Sequence, residues 1–195
     1  MLKRDSATNF LGAHVYLHQS ADDTTLVRRS LQGDEAAFEA LVTHYHRVLF
    51  TVALRMLGDY EDARDATQNT FIKAFQKLDT FDHQHRFFSW IYRILVNECL
   101  NARRGKPFMQ GLDDEMPGKD KPDESLELAE RQRRVRRAIL ALPPEYREVI
   151  VLRHFAALSY DEMAQALSIP LRTVKSRLHT ARQRLLRALA ELGPR

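Results

Sequence analysis

The chain has 195 residues, 44% hydrophobic and 29% charged, a composition that folds as one ordinary domain or two small ones and excludes a disordered chain. No stretch approaches the ~18 to 20 apolar residues of a membrane span, and the charged N-terminus lacks the apolar run of a signal peptide. The single cysteine, Cys99, excludes an internal disulfide and a cysteine zinc cluster, so a cytoplasmic protein without membrane insertion is expected.

Residues 1–22 form an N-terminal extension with no assignable role, and a short helix is expected over Asp23–Gln32. Asp34 is a suitable N-cap and Gly58 a suitable stop for a helix whose apolar stripe is Phe38, Leu41, Val42, Tyr45, Leu49, Val52 and Met56. A further helix is expected from Asp59 or Tyr60 to about Leu78, with Ala63, Ala66, Thr70, Ala74 and Leu78 on one face. Another is expected from about Arg86 to Arg104, with Ile91, Ile94, Leu95 and Val96 inward. Residues 23–104 are therefore read as one helical domain. Residues 105–125 hold three prolines, three glycines and an excess of acid without periodicity, the pattern of a flexible acidic linker. Fully extended, it reaches roughly 70 Å.

Helical periodicity resumes over Leu126 to about Ala141, with Leu128, Val135, Ile139 and Leu142 inside. Pro143-Pro144 breaks it, and Pro144 suits the first position of the next helix, which extends to about His154. Ser159-Tyr-Asp-Glu162 is a capping-box sequence opening a helix to Leu167. Ser168-Ile-Pro170 forms a turn, and a long helix follows from about Leu171 to Leu192. No segment shows β alternation. The fold class is all-α: two small helical domains, 23–104 and 126–195, the second containing a helix-turn-helix.

Charge separates these parts. Residues 1–105 carry 13 Lys/Arg against 13 Asp/Glu, residues 106–130 carry 3 against 8, and residues 131–195 carry 14 against 5. A basic module behind an acidic spacer points to a polyanion, nucleic acid ahead of membrane. On the last helix Leu171, Val174, Leu178, Ala181, Leu185 and Leu189 form a buried stripe. Arg172, Lys175, Ser176, His179, Arg182 and Gln183 face away, where a recognition helix meets phosphates and base edges. The long cations Lys175 and Arg182 suit phosphates, Ser176 and His179 suit base edges, and Arg172 suits either.

Arg86, Trp90, Arg93, Asn97, Asn101 and Arg104 recur at helical spacing as a basic, amide-rich stripe holding the sole tryptophan. Phe81, Phe87, Phe88 and Tyr92 crowd its start. Aromatics beside cations suit single-stranded nucleic acid, which needs stacking platforms and backbone charge. Phe87 reads as core, whereas Trp90 reads equally as a stacking platform or as core filling. The histidine pairs His44/His46 and His83/His85 lack the four-ligand pattern of structural zinc, Cys99 reads as packing, and no phosphate loop or nucleophile–base arrangement is present. No metal, cofactor or enzymatic activity is expected.

Asp65-Ala-Thr-Gln68-Asn-Thr-Phe71-Ile-Lys-Ala-Phe75 and Phe88-Ser-Trp90-Ile-Tyr92-Arg93-Ile-Leu-Val-Asn97 resemble the second conserved region of bacterial RNA polymerase sigma factors. Leu142-Pro-Pro-Glu-Tyr-Arg-Glu-Val-Ile-Val-Leu-Arg153, Ser159-Tyr-Asp-Glu-Met-Ala and Thr173-Val-Lys-Ser-Arg177-Leu-His-Thr-Ala-Arg182 resemble their fourth region. With only these two regions and a short linker, the chain resembles the extracytoplasmic-function group.

The resemblance implies that the helix bearing Asp62, Asp65, Gln68, Asn69 and Phe71 contacts the clamp of the largest subunit of core RNA polymerase. It implies that Phe81, His83, Arg86, Phe88, Trp90, Arg93, Asn97, Asn101 and Arg104 open and hold the −10 element as a single strand. It further implies that Arg172, Thr173, Lys175, Ser176, Arg177, His179 and Arg182 read the −35 element as duplex, and that an anti-sigma factor is a plausible partner. His83-Gln-His85 departs from the small or acidic residues frequent in that loop of the family. The alternative reading is a stand-alone helix-turn-helix regulator binding duplex operators as a dimer. A more remote one is a nucleic-acid-modifying enzyme with a histidine metal site.

Overall fold

The computed structural model describes residues 21–83, 85–103 and 126–191, which form eight α-helices and no strand. They are α1 (Ala21–Leu31), α2 (Glu35–Leu57), α3 (Tyr60–Gln76), α4 (Phe87–Arg103), α5 (Leu126–Leu140), α6 (Pro144–His154), α7 (Tyr160–Leu167) and α8 (Leu171–Glu191). Arg104, the expected linker 105–125 and most of the N-terminal extension lie outside the described residues.

Local chemistry sets the helix ends. The Asp34 carboxylate accepts from the Ala37 amide at 3.2 Å and pairs with Arg29 at 2.7 Å, so it both caps α2 and ties it to α1. Asp59 caps α3 by accepting from the Asp62 amide at 2.8 Å. Gly58 closes α2 in the left-handed region (φ 81), and a Cβ there would stand 3.1 Å from the Leu140 side chain. At α7 the capping box forms in full: the Glu162 amide donates to Ser159 Oγ at 3.2 Å, and the Ser159 amide donates to Glu162 Oε2 at 2.7 Å.

Two boundaries differ from the sequence reading. α3 ends at Gln76, and a 3₁₀ turn over Leu78–Thr80 carries Leu78 inward. α4 begins at Phe87 because Arg86 occupies the capping position, its carbonyl accepting from the Trp90 amide at 3.2 Å.

The first four helices bury Leu41, Tyr45, Leu49, Val52, Ile91, Tyr92 and Leu95 between them. Inside this core the Tyr45 hydroxyl donates to the buried Asp23 carboxylate at 2.5 Å. Burial first, and the Asp23 carboxylate second, push the Tyr45 phenol well above its ordinary range. The last four helices bury Ile139, Val149, Leu152, Leu158, Met163, Val174 and Leu178.

These two helical groups pack on each other, and their buried residues form one continuous cluster. α5 and α6 lie against the C-terminal half of α2, and α7 lies along α4. Among the described residues, side chains join them at both ends of α4 and at the end of α2. Arg147 Nη1 on α6 donates to the Met56 carbonyl at 2.9 Å, and Arg103 on α4 pairs with Glu148 at 3.0 Å. The Arg55 guanidinium lies over the Phe155 ring at 4.0 Å, and Ser89 on α4 donates to Glu162.

Candidate nucleic-acid interface

α7, a three-residue turn and α8 form the helix-turn-helix. The turn is made by Ser168 in the left-handed region (φ 53), with the Ile169 amide donating back to the Ala164 carbonyl at 3.1 Å. Val174, Leu178 and Ala181 are buried against α6 and α7, which turns Arg172, Lys175, Ser176, His179 and Arg182 to the exterior. Thr173 and Arg177 are half-buried on the flank of this face. Among the described residues, no carboxylate pairs with Arg172, Lys175 or Arg182. Ser176 Oγ donates to the Thr173 carbonyl at 3.1 Å, while its lone pairs stay outward. A ring nitrogen of His179 lies 3.1 Å from the Gln183 amide nitrogen, so these two exposed side chains form one polar unit. Leu171, Leu185 and Leu189, expected as buried, are half-buried: Leu171 opens α8 beside the turn, and Leu185 and Leu189 lie beyond its last buried residue, Ala181.

The α4 surface divides in two. Arg93, Asn97 and Asn101 are exposed in a row, as their spacing predicts, whereas Arg86 and Trp90 are half-buried at its start. Trp90 lies between Phe81 (5.5 Å) and Phe87 (5.6 Å). Phe81 and Phe88 are not surface platforms here: both are buried, because the loop folds back to close the α4 end of the core. His83 is exposed with its ring edge-on to Phe81 at 5.2 Å. Arg86 lies 5.7 Å from the Phe88 ring and 3.9 Å from the Glu162 carboxylate.

On α3, Glu61, Asp65, Gln68, Ile72 and Phe75 are exposed at spacings of four and three, which makes them one stripe. Asn69 is exposed beside it and Asp62 is half-buried. Phe71, placed on the contact face by the sequence reading, is only 8% exposed and lies flat beside His46 at 6.2 Å. Ile72 (46% exposed) and Phe75 (57% exposed) were not singled out, yet they are the apolar groups this face offers. The helical period running on from Asp65 and Gln68 carried that signal. Phe75 meets Phe38 of α2 edge-on at 5.0 Å, which widens the apolar patch.

Charge is tuned where the helical groups meet. Burial lowers the Arg55 and Arg147 guanidinium pKa values to about 10. Burial also raises Glu148, against the opposing pull of Arg103. Burial pushes Glu162 up as well, but the hydrogen bonds from Ser89 and Ser159, with Arg86 nearby, hold it below its ordinary value. Among the described residues, no three His, Cys, Asp or Glu side chains gather where a metal could bind, and no helix is long and apolar enough to cross a membrane.

Comparison with known proteins matches this arrangement from both ends. The family model for sigma-70 region 2 matches residues 41–107, and that for sigma-70 region 4 matches residues 132–192. The ECF RNA polymerase sigma factor SigW of Bacillus subtilis is 32% identical over 179 residues, 85% of this chain and 96% of that protein. The ECF RNA polymerase sigma-E factor of Escherichia coli K12 is 34% identical over 180 residues, 86% of this chain and 94% of its own length.

The chain is a member of the extracytoplasmic-function sigma factors.

Solved structures agree. CnrH in complex with the cytosolic domain of CnrY superposes with a TM-score of 0.66 at 27% identity, covering 87% of this chain and 98% of that one. The sigma factor RpoE in complex with the anti-sigma factor NepR from Bartonella quintana gives 0.63 at 26% identity, covering 78% and 96%. The function is that of a sigma factor, which directs RNA polymerase to promoters, and members of this family are regulators rather than catalysts. In this sigma factor the region 2 match begins within α2 and spans α3 and α4, and the region 4 match begins within α5 and spans α6–α8.

Proposed function

We propose that the three exposed faces divide the work of the sigma factor by chemistry. The α3 stripe, with Asp65, Gln68 and Asn69 beside Ile72 and Phe75, docks the clamp of core polymerase in the cytoplasm. Its mix of carboxylates, amides and apolar side chains suits a protein surface and repels a phosphate backbone. The row Arg93, Asn97 and Asn101, entered past Arg86 and Trp90, holds the −10 element as a single strand, with His83 at the loop and Arg104 continuing the row in sequence. Phe81, Phe88 and Phe71 support these faces from beneath. The α8 face reads the −35 element as duplex, Lys175 and Arg182 on phosphates, Ser176 and His179 on base edges, with Arg172, Thr173 and Arg177 at its margin.

The observation that carries this reading is the opposition of charge: α8 presents cations without carboxylate partners, and α3 presents carboxylates around an apolar patch. The chain would act without chemistry of its own. RpoE is similar to this chain and was solved with an anti-sigma factor, so a protein partner of that kind is proposed here too. The test is run-off transcription with purified core polymerase on the promoter upstream of the chain's own coding sequence. Defined transcripts only when both are present support the reading; tight operator binding by a dimer without any polymerase-dependent transcript would favour a stand-alone regulator.

A further inference from the structure

His179 and Gln183 stand one turn apart on the exposed face of α8, and His179 Nε2 lies 3.1 Å from the Gln183 amide nitrogen. A carboxamide nitrogen can only donate, so the imidazole accepts at this contact. A neutral imidazole holds one N–H and one lone pair. With the Nε2 lone pair taken by Gln183, its proton sits on Nδ1. Among the described residues His179 has no other partner, so Nδ1–H is left to meet a group outside the chain.

The rest of α8 favours this orientation of the amide. Arg187 is exposed one turn beyond Gln183, and a cation there draws the amide oxygen toward itself and leaves the amino group toward the ring. α8 carries no carboxylate before Glu191, so no acid on the helix pulls the ring proton to Nε2. An imidazole able to exchange tautomers offers either a donor or an acceptor, and it tolerates both kinds of base edge. Held with its proton on Nδ1 and its lone pair occupied, it offers a donor only. In the major groove guanine presents two adjacent acceptors, N7 and O6, whereas cytosine presents the N4 amino donor. A donor-only ring pairs with the first and clashes in polarity with the second.

We propose that Gln183 is a positioning residue that holds His179 as the Nδ1–H tautomer, making it a donor that selects a guanine edge and rejects a cytosine edge in the −35 element. The guanine selection rests on the assignment of the α8 face to that element. The tautomer does not, because it is set within α8 itself. Lys175 and Arg182, on phosphates, add affinity to every sequence alike, so the choice between bases falls to groups such as this ring.

The test uses the full chain with isotope-labelled histidine at about pH 8.5, where imidazole is neutral, because the NMR shifts of the two ring nitrogens report which one is protonated. The His179 signals are those missing from His179→Ala. The parent should show the Nδ1–H form. Gln183→Lys can only donate and should keep it. Gln183→Glu can only accept and should move the proton to Nε2, and Gln183→Ala should give the Nε2–H form that a solvated imidazole prefers. Position 183 is exposed, so helicity should be the same in all of them. Duplex binding in the same buffer supplies the second reading. At the base pair that His179→Ala ceases to discriminate, the parent and Gln183→Lys should favour guanine over cytosine about tenfold, and Gln183→Ala about threefold. Gln183→Glu, which leaves Nδ1 as an acceptor, should shift the preference toward cytosine.

An Nε2–H ring in the parent, or a guanine preference unchanged in Gln183→Ala, overturns the proposal. If His179→Ala discriminated as the parent does at every base pair, the reading of the α8 face would be at fault and the guanine selection would fall with it. The tautomer, measured in the free chain without DNA, stands or falls separately.

Discussion

Arg147 of α6 reaches across to region 2 and donates from Nη1 to the Met56 carbonyl at 2.9 Å, while its Nη2 serves the Leu140 carbonyl at 2.5 Å and the Leu142 carbonyl at 3.1 Å. One buried guanidinium thus satisfies carbonyls at the ends of α2 and α5 together. Arg147→Ala leaves these acceptors without that donor and should lower stability by about 3 kcal/mol. Arg147→Lys should recover less than half, because one ammonium cannot span three carbonyls. Urea unfolding followed by helicity measures both, and equal stability of all three proteins would remove Arg147 from this role.

The α3 stripe proposed to face polymerase makes a prediction about stability as well as binding. Ile72 and Phe75 are about half exposed, so Ile72→Ser or Phe75→Ser should leave the melting temperature nearly unchanged. Each should still weaken core polymerase binding by about 1.5 to 3 kcal/mol if the side chain is buried on docking. Asp65→Arg should weaken it as well, without altering −35 duplex binding. A pull-down titration with core enzyme that finds wild-type affinity in all three variants would move the contact elsewhere.

Trp90 is both packed and reachable, and two substitutions separate its roles. Trp90→Phe keeps an aromatic against Phe81 and Phe87, so helicity should be retained. Trp90→Ala should impair strand opening more than initial promoter binding, since stacking on an unpaired base is worth about 1 to 3 kcal/mol. Permanganate reactivity of open thymines reports this directly. Normal opening in a folded Trp90→Ala variant would make the residue core filling alone.

On α8 the physics distinguishes two kinds of contact. Lys175→Ala should weaken binding to all sequences alike and shallow the salt slope by about one unit. His179→Ala should instead narrow the gap between correct and substituted −35 sites by roughly 1 to 3 kcal/mol. Gln183→Ala should blunt the same discrimination more weakly, because Gln183 bears on His179. Binding to single-base variants of the element at two salt concentrations tests all three; a pattern in which Lys175 governs specificity and His179 only the salt slope would exchange their roles.

Alkaline pH should unfold region 2 through its buried acids. Tyr45 and Tyr92 are raised above 10.0 chiefly by burial, and burial first, with Glu98 and Glu148 nearby, pushes the Cys99 thiol from 9.0 up to about 12. The unfolded chain releases these protons at the lower values and the folded chain holds them. Stability contributed by these groups is therefore intact below pH 9 and is lost as pH rises from there through 12. Helicity and tyrosinate absorbance should change together on base titration, and Cys99 should resist thiol reagents until they do. Early tyrosinate formation in a still-helical protein would contradict this.

The sequence by itself determined the helices, their caps and the chemistry of their faces, because those depend on residues three or four apart. Asp34, Asp59 and Ser159 cap as their positions require, and the apolar period of α8 alone turns Arg172, Lys175 and His179 outward. What tertiary structure decided depends on neighbours remote in the chain. Phe71, Phe81 and Phe88 are consistent with exposure in sequence and become core only when α2, the 81–86 loop and α4 close over them. Nor does any local pattern in residues 86–103 or 147–162 announce that Ser89 meets Glu162 or that Arg103 meets Glu148. Those pairs are 73 and 45 residues apart, and they exist only because the two groups of helices pack on each other into one continuous core.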